Sequence, residues 1–467
     1  MSEIKRLLKN TGIIALGNIS TRLVSFLLLP LYTSLLSTSE YGTVDYIESI
    51  VLFIVPFASM LMDEAVFRFL IDCDTDEKRK KTISISVKIL MAGLLAFLII
   101  AIPIVLFLRF QYGAFLILNV VGNVFIVMMN SLLRGMGRTD RYAVYNFLLS
   151  LVRIIFNIVF IAGMRMGATG LLLAATLSMF FVTAVYFVRM KIWRYIDVTV
   201  SDRKQTKDML RYAIPLVPNK VSWSIINLSD RIIIMNLLGG DAAGIYAIAY
   251  KFPNLMDTIY GFFYQSWKES SARVVGDDSQ DSFYNSIYAH LRRFMFSVVL
   301  MLIAWMPLIF AVLIHSGYSN GILYVPILII GMYYSNMSGF YGGIFTAYKE
   351  TKIMGTTTAA AAVVNLAVHF LLIGTINLYA AAVSTLVSSY VVYAYRRMKV
   401  KQYVILNREW KVKVLSYAVL TVILICFYEM TTVSIAAGML ISTTYTIIMN
   451  RRILIRICNK ITGRIRG

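Results

Sequence analysis

The sequence predicts an all-α polytopic membrane protein with fourteen transmembrane helices, and three observations lead to this fold class. Of its 467 residues, 59% are hydrophobic and 15% are charged, and the mean hydropathy is +0.73. Apolar runs of about 20 residues, enough to cross a bilayer, recur along the whole chain. The basic residues are concentrated in the segments between these runs. A soluble protein of this size carries more charge, and a transmembrane barrel would show alternating strands.

The distribution of basic residues also predicts the orientation. If the N-terminus is cytoplasmic, 36 of the 45 Lys and Arg residues fall in cytoplasmic segments and two fall outside. This asymmetry follows the positive-inside rule, so both termini are expected in the cytoplasm. The net charge of +21 then requires no nucleic-acid partner. The predicted spans are 11–36, 44–70, 82–108, 112–133, 142–163, 167–188, 212–238, 244–266, 291–315, 321–347, 353–374, 377–395, 413–429 and 433–449.

An internal repeat divides the chain. Residues 35–46 align with residues 237–248 at an offset of 202, and in both a Leu-Leu pair ends a span six residues before a glycine. Transporters are often built from such repeats, with the binding site between them. We therefore predict two pseudo-symmetric six-helix lobes, 1–200 and 201–400. The last part, 401–467, adds two spans and a basic cytoplasmic tail.

Charged side chains recur at helical spacing inside several spans. A charge at the bilayer centre costs about 3 kcal/mol, so these side chains should face protein or water. Away from the span ends five bases face four acids, and Glu64 is spaced to pair with Arg68. This cation excess favours an anionic substrate, and ion pairs that only hold the bundle together are the alternative. The set comprises the bases Arg22, Arg153, Lys220, Arg231 and Lys251, the acids Asp63, Glu64, Asp230 and Asp257, and the polar Asn227 on the stripe of Lys220 and Arg231.

Other chemistries lack their signatures in this sequence. No phosphate-binding P-loop is present, the three histidines are scattered, and the three cysteines are far apart. We predict no catalytic activity, no metal and no cofactor. Asp63, Asp230 and Asp257 are candidates for coupling transport to protons or sodium ions. The short external loops argue against a glycan polymerase or a lipid-linked glycosyltransferase.

Three parts of the chain resemble the polysaccharide (O-antigen type) flippases of the multidrug/oligosaccharidyl-lipid/polysaccharide exporter superfamily. They are LLLPLYTSLLSTSEYG in span one, MDEAVFRF in span two, and YAIPLVPN, LSDRIII and LGGDAAGIYAIAYKFP in spans seven and eight. The resemblance covers essentially the full chain. It implies two six-helix lobes around a cavity lined by spans one, two, seven and eight.

The resemblance also implies a function. Such proteins move undecaprenyl-pyrophosphate-linked oligosaccharides across the bacterial inner membrane by alternating access, for surface polysaccharides such as O-antigen or capsule. Glycosyltransferases and a polysaccharide polymerase are the expected partners, besides the lipid-linked anionic oligosaccharide and membrane lipids. Arg22, Arg153, Lys220, Arg231 and Lys251 match basic positions in cavity-lining spans. A cation-coupled drug or small-molecule exporter of the same superfamily is the alternative, and it would need a cavity rich in carboxylates and aromatics.

Overall fold

The protein is described by a computed structural model over residues 26, 28–348, 350–407 and 409–465. Within these ranges the chain is almost entirely helical and contains no strand. Ten of the described helical segments are long and apolar enough to cross a membrane. The protein is therefore a multi-pass α-helical membrane protein. Most of predicted span one, including Arg22, lies outside the described residues.

A helix lies on each of the predicted spans from the second to the fourteenth. The fourteen-span count itself stays a prediction, as does the cytoplasmic placement of both termini. The helices are α1 Leu29–Leu35, α2 Thr38–Ala58, α3 Met62–Ile71, α4 Asp76–Phe107, α5 Gly113–Gly135, α6 Thr139–Asn157, α7 Gly167–Arg189, α8 Arg203–Ala213, α9 Val217–Leu237, α10 Gly239–Arg273, α11 Gln280–Leu313, α12 Val325–Ala347, α13 Thr351–Ile376, α14 Tyr379–Val400, α15 Trp410–Glu429 and α16 Thr432–Ile465.

Helix α2 begins six residues before the predicted start of span two, because its first turn is capped. The Ser37 hydroxyl accepts a hydrogen bond from the backbone N–H of Glu40, and the Glu40 carboxylate accepts one from the backbone N–H of Ser37. This reciprocal capping box satisfies amide groups that a helix start otherwise leaves unpaired. The additional helical residues include Thr38 and Gly42.

Predicted span two is not one continuous helix, which corrects the prediction of an unbroken span over 44–70. Met60 and Leu61 adopt left-handed backbone conformations, with φ of 51° and 48°. Pro56, which cannot donate a backbone hydrogen bond, lies just before this break. As a result, α3 starts anew at Met62 and places Asp63 and Glu64 in its first turn. Carboxylates there are stabilised by the positive end of the helix dipole.

The chain forms two compact units, residues 1–244 and 245–467, with the division inside α10. In unit 1, α2 packs against α9 and α5, α3 packs against α5, and α6 packs against α7. In unit 2, α14 packs against α12 and α13, and α11 packs against α16. The predicted lobe boundary at residue 200 stays a prediction, and α9 belongs to unit 1.

A buried arginine connects three helices of unit 2. Arg396 of α14 is only 2% exposed. Its guanidinium donates to the hydroxyl oxygens of Thr357 and Thr358, 3.0 and 3.2 Å away. It also donates to the carbonyl oxygens of Ser338 and Met354. The sequence prediction counted Arg396 in a cytoplasmic loop, whereas it cross-links α12, α13 and α14.

Candidate functional site in unit 1

Helix α2 presents an acidic face to two basic residues of unit 1. Asp45 and Glu48 are three residues apart, so they lie on the same side of the helix. Arg231 of α9 and Arg153 of α6 reach these carboxylates from two different helices. Two of the predicted site residues are thus brought onto one helix face.

The pair of Arg153 and Glu48 is partly open. The Arg153 Nη2 donates to the Glu48 Oε1 at 2.5 Å, and the two side chains are 39% and 40% exposed. Arg153 lies in the middle of predicted span five, and its guanidinium extends to Glu48, close to one end of predicted span two. Because hydrocarbon does not solvate a charged pair, this exposed face must border water or polar groups.

The pair of Arg231 and Asp45 is enclosed. The Arg231 Nε lies 3.3 Å from the Asp45 Oδ2, and the side chains are 10% and 17% exposed. The neighbouring Asp230 is also buried, at 2% exposure. Such a pair is costly to break, because removal of one partner leaves an uncompensated buried charge. We therefore expect Arg231 to connect α9 to α2.

The third cluster of charges lies near the break between α2 and α3. The Lys220 Nζ is 4.0 Å from the Glu64 Oε1, and both side chains are about half exposed. The Ser59 hydroxyl is 3.5 Å from the Asp63 carboxylate, which is a long contact. The predicted pair of Glu64 with Arg68 is wrong, because Arg68 binds Asp72 at 2.7 Å.

The remaining predicted site residues are Lys251, Asp257, Asn227 and Arg22. Lys251 and Asp257 are residues of α10 in unit 2, where Lys251 is half-buried and Asp257 is exposed. The side chain of Asn227 and the whole of Arg22 lie outside what the structure describes.

Sequence reasoning missed Asp45 and Glu48. Both lie close to the outer end of predicted span two, and the charge count considered only acids away from the span ends. With these two carboxylates included, the acids are no longer outnumbered by the bases. The i, i+3 spacing of two acids after the STSE capping motif was the available signal. The cation excess therefore does not identify an anionic substrate. Whether a substrate can reach a basic residue depends instead on how exposed its ion pair is.

The two pairs suit different tasks. In the enclosed Asp45–Arg231 pair both charges are shielded from solvent, so an incoming ligand has little access. In the open Glu48–Arg153 pair, solvent screens the attraction, so a stronger anion can compete with the carboxylate. A phosphate offers a guanidinium bidentate hydrogen bonds and a higher charge than a carboxylate.

A polar contact also joins the helix of Arg153 to α1. The Asn157 amide of α6, one turn after Arg153, donates to the Tyr32 hydroxyl at 2.8 Å. The Tyr32 and Tyr41 rings lie beside each other, with centroids 6.0 Å apart. Both rings are buried, at 8% and 5% exposure, so they form part of the protein interior and not a surface for a ligand.

Comparison with known proteins agrees with this helical architecture. The lipid II flippase MurJ in an inward closed conformation matches with a TM-score of 0.70 and 15% identity, over 96% of this chain and 100% of that chain. An inward-facing multidrug resistance MATE family transporter matches with a TM-score of 0.67 and 16% identity, over 83% and 95%. A MOP superfamily transporter from Pyrococcus furiosus, described as having a binding pocket of reverse polarity, matches with a TM-score of 0.54 and 16% identity, over 84% and 95%. At these identities the matches establish the fold.

The family is established from the sequence. No curated protein matches the chain significantly. The family model described as "Polysaccharide biosynthesis protein" matches residues 7–267, more than half of the chain. The chain therefore belongs to the polysaccharide biosynthesis protein family.

Proposed function

We propose that this protein moves undecaprenyl-pyrophosphate-linked oligosaccharide units across the bacterial inner membrane by alternating access. The observation that carries this proposal is the partly exposed ion pair that Arg153, in the middle of predicted span five, forms with Glu48. The family membership and the fold shared with a lipid II flippase support it. Glycosyltransferases would supply the substrate on the cytoplasmic leaflet, and a polymerase would consume it outside, in O-antigen or capsule assembly.

Arg153 would bind the pyrophosphate by exchange of partners. Without substrate, Glu48 keeps the guanidinium oriented and compensates its charge. The pyrophosphate then displaces the carboxylate, because it carries more charge and accepts bidentate hydrogen bonds. When the glycolipid leaves, Glu48 returns to Arg153. Because Glu48 competes with the pyrophosphate for Arg153, the affinity for the substrate is limited. A transporter needs such a limit in order to release its substrate.

Arg22, Lys220, Asn227, Arg231 and Lys251 would complete the polar path in this proposal. Lys220 is the best supported of these, because its side chain is 59% exposed and its nearest carboxylate oxygen is 4.0 Å away. Arg231 would contribute mainly by holding α9 to α2, since Asp45 already occupies it.

A carboxylate near a break in a helix would couple transport to protons or sodium ions. Asp63 is the first choice, because it lies just after the left-handed residues Met60 and Leu61 in the first turn of α3. Broken helices commonly form ion and substrate sites in transporters. Asp230 and Asp257 remain alternative coupling residues.

Export of cationic drugs is the second candidate function. It is favoured by the carboxylates Asp45, Glu48 and Glu64, which lie beside the predicted basic residues. The fold shared with a multidrug transporter is compatible with this function. The two candidates differ in the charge of the transported molecule.

One reconstitution experiment distinguishes glycolipid translocation from drug export. The purified protein is placed in proteoliposomes that contain a polyprenyl-pyrophosphate-linked oligosaccharide, and inner-leaflet glycolipid is followed as it becomes accessible to an impermeant glycosidase. We expect faster exposure than in protein-free vesicles, and no protein-dependent movement of a cationic dye. Dye transport without glycolipid transport would replace the proposal with drug export.

A further inference from the structure

A second basic site lies in unit 2. It is a pocket between α11, α12, α14 and α15, with about 400 Å³ of space when its part open to solvent is included. Of the described residues that line it, four are cationic and none is acidic. The cations are Arg292, Arg293, Arg397 and Lys413.

Glu409 compensates only part of this charge. It lies at the start of α15 and forms ion pairs with Arg292, at 2.5 Å, and with Arg293. Glu409 adopts a left-handed backbone conformation with φ of 36°. The preceding loop is held in place by Asn285, which donates to the Ile405 carbonyl and accepts from the Asn407 backbone N–H. Two cationic head groups are thus fixed side by side by one carboxylate.

The interior of the pocket retains unused hydrogen-bonding capacity. The Nε of Arg293 is buried and has no hydrogen-bond partner among the described residues. A buried donor without a partner is rare and costly, so it indicates a missing acceptor. Tyr288 and Tyr417 line the same space, and their hydroxyl groups already form hydrogen bonds with Tyr341 and Tyr334. An oxygen atom of a bound anion would supply the acceptor that the Arg293 Nε lacks.

The four cations lie at corresponding ends of their predicted spans. Arg292 and Arg293 are at the start of predicted span nine, Arg397 is just after span twelve, and Lys413 is at the start of span thirteen. These ends face the cytoplasm in the predicted orientation. Basic pockets between helices at the cytoplasmic surface are typical sites for anionic lipid headgroups.

We propose that this pocket binds a phosphate group, either the headgroup phosphate of an anionic phospholipid or free inorganic phosphate. The guanidinium groups of Arg292 and Arg293 would form its floor, and Arg397 and Lys413 would close over the phosphate oxygens. The site would be separate from Arg153 and Glu48, which belong to unit 1. An experiment that disproves phosphate binding in this pocket would therefore not affect the proposed transport function.

The test measures thermal stabilisation of the full-length protein in neutral detergent at constant ionic strength. The probes are short-chain phosphatidylglycerol, short-chain phosphatidylcholine and inorganic phosphate. We expect a rise in Tm with phosphatidylglycerol and not with phosphatidylcholine. A matching rise with phosphate alone would assign the site to free anion, and a rise only with the lipid would assign it to the headgroup. No rise with either anionic probe would overturn the proposal.

Two neighbouring lysines supply the matched control. Lys413 lines the pocket, whereas Lys411 is exposed and does not. Lys413→Gln should weaken anion binding about fivefold, the effect of one cation near an anionic headgroup, and Lys413→Arg should restore it. Lys411→Gln should bind as the wild type does. Arg397→Gln is the second variant if Lys413→Gln fails to fold. An equal loss of anion binding in the Lys411→Gln and Lys413→Gln variants would show that the anion does not bind in this pocket.

Discussion

Gly42 of α2 and Gly244 of α10 face each other where the two helices cross, and each glycine lies against the backbone of the other helix. A Cβ on Gly42 would lie 2.5 Å from the backbone nitrogen of Gly244 and 3.0 Å from the carbonyl carbon of Ala243. A Cβ on Gly244 would overlap the carbonyl oxygen of Thr38. The two glycines occupy equivalent positions in the repeated segments 35–46 and 237–248. The two copies of the repeated segment therefore contact each other at this crossing.

Gly42→Ala should destabilise the protein by about 1–3 kcal/mol, because the added methyl group forces two helix backbones apart. Gly374→Ala is the control, since nothing lies within 4 Å of a Cβ at that position. Alanine there should be neutral or slightly stabilising, as is usual inside a helix. Thermal unfolding in detergent measures both variants. A Gly42→Ala variant as stable as the wild type would contradict the close crossing.

A disulfide across the same crossing should stop transport. The Thr38 hydroxyl donates to the Asp241 carboxylate, so cysteines at these two positions should form a bond under mild oxidation. If alternating access separates the starts of α2 and α10, the oxidised double variant should lose glycolipid translocation and the reduced form should regain it. Full transport in the cross-linked protein would show that this crossing does not open.

Arg153→Ala should slow translocation at least about tenfold, because a hydrogen bond to a charged group contributes about 1.5–3 kcal/mol. Arg141 in the first turn of the same helix is exposed, and it serves as the control. Proteoliposomes with equal amounts of folded protein measure both variants. Equal translocation rates for Arg153→Ala and Arg141→Ala would show that Arg153 does not take part in transport.

Arg396→Ala should destabilise unit 2 by about 2–4 kcal/mol, since it removes a buried side chain and its hydrogen bonds to the two neighbouring helices α12 and α13. Met398→Ala, two residues later and 60% exposed, should change stability little. The loss of stability should appear as a lower Tm in thermal unfolding. A wild-type Tm for Arg396→Ala would show that the guanidinium contributes no net stability.

The loop before α8 should make stability depend on acid pH. Hydrogen bonds from the Lys80 ammonium and from Thr199 hold the pKa of Asp197 below its usual value of about 3.9. A lowered folded-state pKa means that the stabilisation is complete above about pH 3.9 and is lost as the pH falls through the folded pKa. Asp197→Asn should therefore have a lower Tm than the wild type at pH 7, and the gap should narrow below about pH 4.

The asparagine variant of an exposed aspartate supplies the reference for this measurement. Asp278 lies in the turn between α10 and α11, and Asp278→Asn should follow the wild type at both pH values. A gap between Asp197→Asn and the wild type that stays constant down to pH 2 would contradict the ion pair with Lys80.

Much of the fold follows from the sequence, since hydrophobic run length locates helices reliably. Helix starts were less accurate, because α2 is extended by the capping box of Ser37 and Glu40. The break at Met60 and Leu61 has no glycine to indicate it, and only the preceding Pro56 gives a signal. The family resemblance was confirmed by the family model.

The candidate site was harder to predict. Helical spacing placed Arg153 and Arg231 on polar faces, but it could not show which carboxylate each would meet on another helix. Glu48 and Asp45 come from a distant part of the chain, so their pairing depends on tertiary packing. The same reason explains why Arg396 was assigned to a loop.

An exchange of the two charges tests most directly whether Arg153 binds substrate or only holds α6 to α2. The double variant Glu48→Arg with Arg153→Glu keeps an ion pair between the same positions and moves the cation to α2. We predict that it is as stable as the wild type and translocates polyprenyl-pyrophosphate-linked oligosaccharide as slowly as Arg153→Ala. Wild-type translocation by this double variant would contradict a substrate-binding role for Arg153.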